Sequence, residues 1–388
     1  MQFFEKALPV WNTSLADERN ITVGLCSAPL CAGTYTFKAA TSGFYHLFVN
    51  GTFVHFGPAR CAHGLYRVDE LTLTLTENEN HVAVEVNNSY LNGFGQLRQK
   101  GFVQAELAAS DGTVIAATGN SGFDAYMLKE RVRKVQRYSF QRDFAEAYRF
   151  EGNIRAWRVG HPDNNAEPFT PDETEPKKLV ERRIPIGDYP VIVPKSRLWY
   201  GDFVTGVAGE VYKDRSLIKL HDPNAGLLEG YEENELDVHL SDEAQGFRYT
   251  TRTDDVTAYS GKTSLSAGKY EALRFDGEHT GLLGATLVCH EAAEVCFMFS
   301  EVLHGGDIRP IADWCNMIRI DMKPGTYDFR TCEPFGMQYL KIACVSGKVD
   351  VCGVHLTAII CPEKITASYT GSDPATAKIF EAAKQSFM

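Results

Sequence analysis

Three histidines lie close together near the start of the chain and could bind a metal ion. His46 and His55 occupy the two arms of a predicted hairpin, and His63 follows soon after. Imidazole nitrogens are common zinc ligands. Histidines flanked by phenylalanines are nevertheless more often packed or hydrogen-bonded imidazoles. We therefore expect neither a metal site nor a cofactor here.

A second polar group consists of Asp276, Glu278 and His279, which could act as acid, base and orienting residue. In an antiparallel strand these side chains are instead expected to form turn hydrogen bonds and face solvent. The stretch Gly261-Lys262-Thr263 resembles the end of a phosphate loop, but Val256 stands where such a loop requires glycine. We assign no catalytic residue to this sequence.

Three stretches combine aromatic and planar polar side chains, as sugar-binding sites do. An aromatic ring stacks on the C–H face of a pyranose, and polar groups at the rim bind its hydroxyls. The candidate carbohydrate-binding residues are Tyr90 and Asn92 in a predicted loop, Trp157 between two arginines, and Trp199. Loop aromatics also cap cores and seal domain interfaces, and we favour the interface interpretation for all three stretches.

Composition excludes several classes of protein. The chain has 388 residues, a hydrophobic content of 44% and a net charge of -11. It can bury two or three cores, and its acidity argues against binding nucleic acid or an anionic membrane. A neutral or polar partner such as a sugar fits better. Because no run approaches a membrane span and the N-terminus lacks the apolar core of a signal peptide, we expect a cytoplasmic location.

The ten cysteines do not indicate a disulfide framework. They are spread over a long chain, and several lie inside apolar strand-like runs, as Cys289 and Cys296 do. No pair has the C-x-x-C spacing of zinc or redox sites. We expect buried free thiols.

The clearest element is a hairpin with Asn50-Gly51 between two apolar runs, residues 44–49 and 52–56. This dipeptide favours a two-residue type I′ turn. The resulting register pairs Phe48 with Phe53 and His46 with His55. Both faces are largely apolar, so we expect the hairpin to be covered on both sides.

Short strands recur along the chain and predict an all-β fold with two jelly-roll or β-sandwich domains. In the first half they are predicted at residues 71–76, 81–87, 102–108 and 113–118. In the second they fall at residues 283–289, 294–300, 317–322, 338–345 and 351–360. Strands at this spacing with polar turns are typical of sandwiches.

Proline-rich and acidic residues between 161 and 176 predict a linker. The predicted domains are therefore residues 1–160, a β-sandwich, and residues 177–372, a second β-sandwich with an irregular lead-in. Residues 131–149 are ambiguous, because Phe140, Phe144 and Tyr148 suit a helix while alternation suits a strand. Residues 229–245 could be helical.

The last stretch, residues 373–388, predicts a helix. Asp373 followed by Pro374 is a helix start signal. Ala375, Ile379 and Phe387 recur on one face with Phe380 beside them, so the helix needs a partner. We expect this helix to be the start of a further helical domain.

The order of motifs resembles the N-terminal region of bacterial α-L-rhamnosidases of glycoside hydrolase family 78. The likeness lies in the strand, Asn-Gly turn and Gly-Pro of residues 47–58, and in residues 274–281, 299–303 and 335–342. It is greatest at residues 369–380, which resemble the family's first barrel helix. The order Asp276-Gly277 departs from the family's usual Phe-Gly.

The resemblance implies a galactose-binding-like sandwich pair followed by a C-terminal (α/α)6 barrel of the same parent chain. That barrel would hold the acidic catalytic residues for inverting hydrolysis of terminal α-L-rhamnosides. The family's acidic Arg-Glu-Gly-Trp stretch is absent from this sequence. The resemblance thus implies a non-catalytic region that supports the barrel and contacts a rhamnose-containing oligosaccharide. The alternatives are a stand-alone lectin-like module and a complete enzyme with an unrecognised carboxylate site.

Overall fold

The computed structural model describes residues 2–139, 141–206, 229–311 and 314–387. The strands are β1 (Val10–Trp11), β2 (Ile21–Ser27), β3 (Gly33–Thr41), β4 (Phe44–Val49), β5 (Thr52–Gly57), β6 (Tyr66–Leu75), β7 (Val82–Asn88), β8 (Val103–Ala109), β9 (Val114–Ala117), β10 (Phe123–Leu128), β11 (Ala147–Phe150), β12 (Ala166–Pro168), β13 (Asp172–Glu173), β14 (Leu179–Glu181), β15 (Val191–Ile192), β16 (Ser196–Val204), β17 (Arg248–Tyr249), β18 (Thr253–Ala258), β19 (Lys262–Ser266), β20 (Lys269–Ser300), β21 (Met317–Met322), β22 (Gly325–Arg330) and β23 (Phe335–Ala358). The α-helices are α1 (Leu240–Gln245) and α2 (Pro374–Phe387), and short 3₁₀ helices span Thr13–Leu15, Ala156–Val159 and Glu233–Glu235.

Two sheets form the first β-sandwich. One has the order β13-β1-β8-β3-β6-β14 with β9 beside β8, and the other has the order β12-β10-β2-β7-β4-β5. Side chains from both sheets form one buried apolar core that includes Phe37, Leu47, Val84 and Leu107. The alternating strands of the sequence thus fold as expected, and the predicted all-β class is confirmed.

The second β-sandwich is built largely from two long bent strands, β20 and β23. Residues 339–344 of β23 lie between residues 269–274 and residues 295–300 of β20, and strands β16 and β21 extend this layer. Residues 284–289 of β20 lie between β22 and the second part of β23, which also pairs with β19. Both long strands therefore run through both layers, which enclose a single core.

The chain segment from β11 to β15, which joins the two sandwiches, forms strand pairs with both of them. Residues 161–176, predicted to be a linker, contribute β12 to β10 and β13 to β1. Strand β11 precedes this stretch but pairs with β21 of the second sandwich. We refer to residues 179–192 as the strap, since β14 pairs with β6 of the first sandwich and β15 with β23 of the second. The predicted domain boundaries stay a prediction.

A buried polar cluster fixes the strap to the first sandwich. Asp69 is fully buried and accepts hydrogen bonds from Tyr45 (2.7 Å), from His55 Nε2 (3.2 Å) and from Arg182 of the strap. Tyr189 of the strap lies with its hydroxyl 2.8 Å from His55 Nδ1. Burial opposes ionisation of Asp69, but the His55 hydrogen bond and the Arg182 charge hold its pKa below the usual value.

The predicted hairpin forms, with a register that differs from the expected one. Asn50 and Gly51 both have positive φ, as a type I′ turn requires, and Phe48 pairs with Phe53. A β-bulge beyond this pair then places Leu47 opposite His55 and His46 opposite Phe56. The predicted pairing of His46 with His55 is therefore wrong, because the bulge adds one residue to β5.

The described residues of the stretch 130–149, which are 130–139 and 141–149, form an irregular hairpin. Backbone N–H groups of Val132, Ala145 and Tyr138 donate to carbonyls across the pair, and the hairpin ends in β11. The strand interpretation is thus the correct one, although Phe140 lies outside the described residues. Residues 229–245 contain two short helical pieces, Glu233–Glu235 and α1.

Candidate functional site

The structure separates the three histidines. His46 lies at the interface between the two sandwiches, which we call the seam, and its Nε2 is 3.0 Å from the carbonyl oxygen of Cys332 in the second sandwich. Burial lowers the pKa of His46 to about 4. His55 belongs to the Asp69 cluster, and His63 is exposed in the loop after β5. Among the described residues no group of three side chains could hold a metal ion.

Asp276 and His279 form a surface pair. His279 Nε2 lies 2.8 Å from Asp276 Oδ1, and this hydrogen bond lowers the pKa of the carboxyl. Lys195 Nζ lies 3.7 Å from the other oxygen of Asp276, and Glu278 is exposed. The arrangement is that expected of polar residues on a solvent-facing strand.

Trp157 is buried on the face of the β2-containing sheet that is turned away from the core of the first sandwich. Its side chain is 1% exposed, and its ring lies against Gly24, where an added Cβ would come within 2.8 Å of it. Tyr126 contributes a neighbouring ring at 6.3 Å between centroids. Because a pyranose needs an open ring face, we do not include Trp157 in the candidate site.

Trp199 is covered in a similar way. It is 4% exposed, and the Arg252 guanidinium lies 3.9 Å from its ring centroid. Arg252 in turn pairs with Asp254, which keeps the cation over the ring. Its neighbour Tyr200 is 41% exposed and carries Arg197 over its ring at 5.0 Å. The burial of Trp199 excludes it from the candidate site.

Tyr90 and Asn92 lie on an accessible loop between β7 and β8, which we call the Tyr90 loop (residues 89–101). The Tyr90 hydroxyl donates to Asp17 at 2.8 Å, and Arg98 lies 5.7 Å from its ring centroid. Glu229 accepts hydrogen bonds from the backbone N–H (2.7 Å) and side-chain amide (2.8 Å) of Asn92. Asn92 therefore orders the loop.

A small pocket of about 80 Å³ lies beside the Tyr90 loop. Its lining includes Phe44, Arg60, Tyr66, Gln96 and Gln99. Gln96 is 8% exposed, and its Nε2 is shielded from solvent and has no hydrogen-bond partner in the described part of the chain. Because ligand pockets usually measure roughly 300 Å³ or more, this pocket suits a single polar substituent of a larger ligand that lies on the loop.

Sequence patterns did not reveal a buried charged network at the seam between the sandwiches. Glu146 accepts backbone hydrogen bonds from Cys332 (3.0 Å) and Glu333 (2.9 Å), which lie in the second sandwich. Burial raises the pKa of Glu146. Burial, together with the charge of Glu85, raises the pKa of Glu130 to about 8. The signal in the sequence was the density of charged residues between residues 130 and 146. Two of these residues, Arg142 and Glu146, have partners nearly two hundred positions away.

Helix α2 begins as predicted and exposes its apolar face. The Asp373 carboxylate accepts hydrogen bonds from the backbone N–H groups of Ala375 (3.0 Å) and Thr376 (3.2 Å). Ile379 is 69% exposed, and Phe380 is partly covered by Tyr369, with 6.0 Å between ring centroids. The side chain of Phe387 lies outside the described residues. Among the described helices, none combines the length and the apolar composition that a membrane span requires.

Sequence comparison finds no matching protein-family model and no matching curated protein. Solved structures do match. The GH78 family rhamnosidase of Bacillus sp. GL1 aligns with 98% of this chain at a TM-score of 0.69 and 15% identity. The α-L-rhamnosidases of Aspergillus terreus and Dictyoglumus thermophilum align with 97% each, at TM-scores of 0.55 and 0.53 and identities of 14% and 12%.

This chain has the fold of part of an α-L-rhamnosidase. It spans 58% of the length of the Bacillus rhamnosidase, and 39% and 38% of the lengths of the other two. The resemblance inferred from the sequence is thus confirmed at the level of fold.

Proposed function

We propose that this chain is the non-catalytic β-sandwich region of an α-L-rhamnosidase-like glycoside hydrolase. The observation that carries the proposal is the alignment of nearly the whole chain with 58% of a GH78 rhamnosidase. The parent reaction would be inverting hydrolysis of terminal α-L-rhamnosides, which requires two carboxyl groups about 6.5 to 9.5 Å apart with a water between them. We assign both to an (α/α)6 barrel of the same parent chain.

The exposed face of α2 supports this arrangement. A helix of this length is only marginally stable without tertiary contacts, and Ile379 contributes little to burial in the described chain. In the proposed parent enzyme, Ile379 and Phe380 pack against the neighbouring helices of the barrel. The two sandwiches then act as a scaffold that holds this first helix in position.

The test is hydrolysis of nitrophenyl α-L-rhamnoside by the purified 388-residue protein and by the parent polypeptide with its barrel. We expect turnover only from the longer protein. Substitution Ile379→Glu should lower the thermal stability of the longer protein and leave that of the 388-residue protein unchanged. Turnover by the 388-residue protein would contradict the proposal, since the reaction would then use carboxylates of the sandwiches.

The second candidate is a lectin-like carbohydrate-binding function at the Tyr90 loop. The partly exposed Tyr90, the 69% exposed Phe94 on the same loop and the adjacent pocket favour it. Calorimetry with rhamnose-containing oligosaccharides should show binding that Tyr90→Ala removes. The matched control is Tyr200→Ala, because Tyr200 is an accessible tyrosine that also has an arginine over its ring. Equal loss of binding in both variants would argue against a site at the loop.

A further inference from the structure

Three arginines converge at the seam between the sandwiches. Arg155 precedes the 3₁₀ helix Ala156–Val159, which contains Arg158, and Arg330 ends β22 of the second sandwich. Burial and the charges of Arg158 and Arg330 lower the pKa of Arg155 to about 9. Burial and the charge of Arg158 likewise lower the pKa of Arg330 to about 10. The three guanidinium groups are thus poorly solvated and repel one another.

Two of these arginines have a carboxylate partner. Arg158 lies 2.8 Å from Glu85, and Arg155 pairs with Asp328. Arg330 instead donates to the Thr357 hydroxyl, and no carboxylate of the described residues forms an ion pair with it. A guanidinium in a poorly solvated position without an anion is energetically unfavourable. Of these three arginines, Arg330 is thus the one without a carboxylate in ion-pair contact among the described residues, although the charge of Glu85 also acts on it.

The surroundings of Arg330 orient its remaining donors. Its guanidinium lies 4.6 Å from the centroid of Phe53, so the ring covers one face and leaves in-plane N–H groups for hydrogen bonding. Asp328 and Arg330 are two residues apart on β22, so their side chains, and with them Arg155, lie on the same face of the sheet. The Nε of Arg330 is shielded from solvent and has no hydrogen-bond partner in the described part of the chain, so this donor is left for an acceptor that the protein does not supply there.

We propose that Arg330 and Arg155 form a binding site for an oxyanion group, a carboxylate or a sulfate, carried by a small ligand at the seam between the sandwiches. A planar guanidinium matches the geometry of these groups with paired hydrogen bonds. The ligand would supply the negative charge that Arg330 lacks. Uronic acids and sulfated sugars are ligands of this class, and neutral rhamnose is not. The site does not depend on the proposed function.

The test compares the wild-type protein with Arg330→Met, which preserves the packing on Phe53 and removes the charge. Calorimetry and thermal unfolding are measured with sodium sulfate against sodium chloride at equal ionic strength, and with glucuronate against glucose. The matched control is Arg149→Met, since Arg149 is an exposed arginine outside the seam. We expect sulfate or glucuronate to bind the wild type and the control with one-to-one stoichiometry, and Arg330→Met to bind at least about tenfold more weakly.

Thermal unfolding without added oxyanion separates a binding role from a structural one. If Arg330 serves to bind an anion, Arg330→Met should raise the melting temperature in chloride, because the substitution removes a charge that has no ion-pair partner. A purely structural arginine would instead lose stability on substitution. The proposal is overturned if the oxyanions shift the wild type and Arg330→Met equally, or if neither oxyanion binds the wild type. Binding of sulfate without glucuronate would restrict the site to tetrahedral anions.

Discussion

Substitution Asp69→Asn should release the strap from the first sandwich. The carboxylate of Asp69 is fully buried and accepts from Tyr45, His55 and Arg182 at the same time. An asparagine keeps one acceptor oxygen but presents an N–H₂ group to a second donor, and it leaves Arg182 without its anion. Breaking a buried ion pair from one side costs about 3 kcal/mol or more. Since about 1.4 kcal/mol corresponds to a factor of ten, the strap should open roughly 150 times more often.

Limited trypsin digestion measures this opening directly, because Arg182 and Arg183 are cleavage sites within the strap. Cleavage follows the population of the open form when opening and closing are faster than proteolysis. The control is Glu181→Gln, which removes only the exposed pair between Glu181 and Arg183. Exposed pairs contribute less than about 1 kcal/mol. Wild-type cleavage rates in Asp69→Asn would refute the assignment of this cluster as the anchor of the strap.

Three further predictions concern the packing and the charges. Gly24→Ala should lower the melting temperature and destabilise the chain by about 1 to 3 kcal/mol, since the added Cβ meets the Trp157 ring at 2.8 Å. Burial raises the pKa of Glu130 from its ordinary value of 4.5 to about 8, so the folded state retains a proton that the unfolded state releases between these pH values. The free energy of unfolding should therefore fall as pH rises through this range, and Glu130→Gln should make urea unfolding less dependent on pH. Ile379→Glu should change the stability of the 388-residue protein by less than about 0.5 kcal/mol, measured by thermal unfolding, because the side chain is 69% exposed.

Local features of the sequence predicted local structure well. Asn50-Gly51 specified the turn, and Asp373-Pro374 specified the start of α2, because both depend only on neighbouring backbone groups. Most predicted strands coincide with observed ones, such as Met317–Met322. The β-bulge after Phe48 was not predictable in this way, because the bulge belongs to tertiary packing that places His55 against Asp69.

The candidate site was less predictable than the fold. Tyr90, Trp157 and Trp199 carry the same chemistry in the sequence, and only burial distinguishes them. Trp157 is buried because Gly24, far away in the sequence, leaves room for its ring. Glu146 bonds to Cys332 and Glu333, more than 180 residues later, so its role arises only when the two sandwiches meet. Pairing over such distances leaves no periodic pattern in a sequence.

The two bent strands of the second sandwich have a consequence for its cooperativity. Because β20 passes from one layer into the other and back, and β23 also crosses, the two layers share continuous backbone. When strand pairing is lost in one layer, strands of the other layer therefore also lose hydrogen-bonded neighbours. We therefore expect the second sandwich to fold and unfold as a single cooperative unit. Neither of its layers can be exchanged alone without cutting β20 or β23.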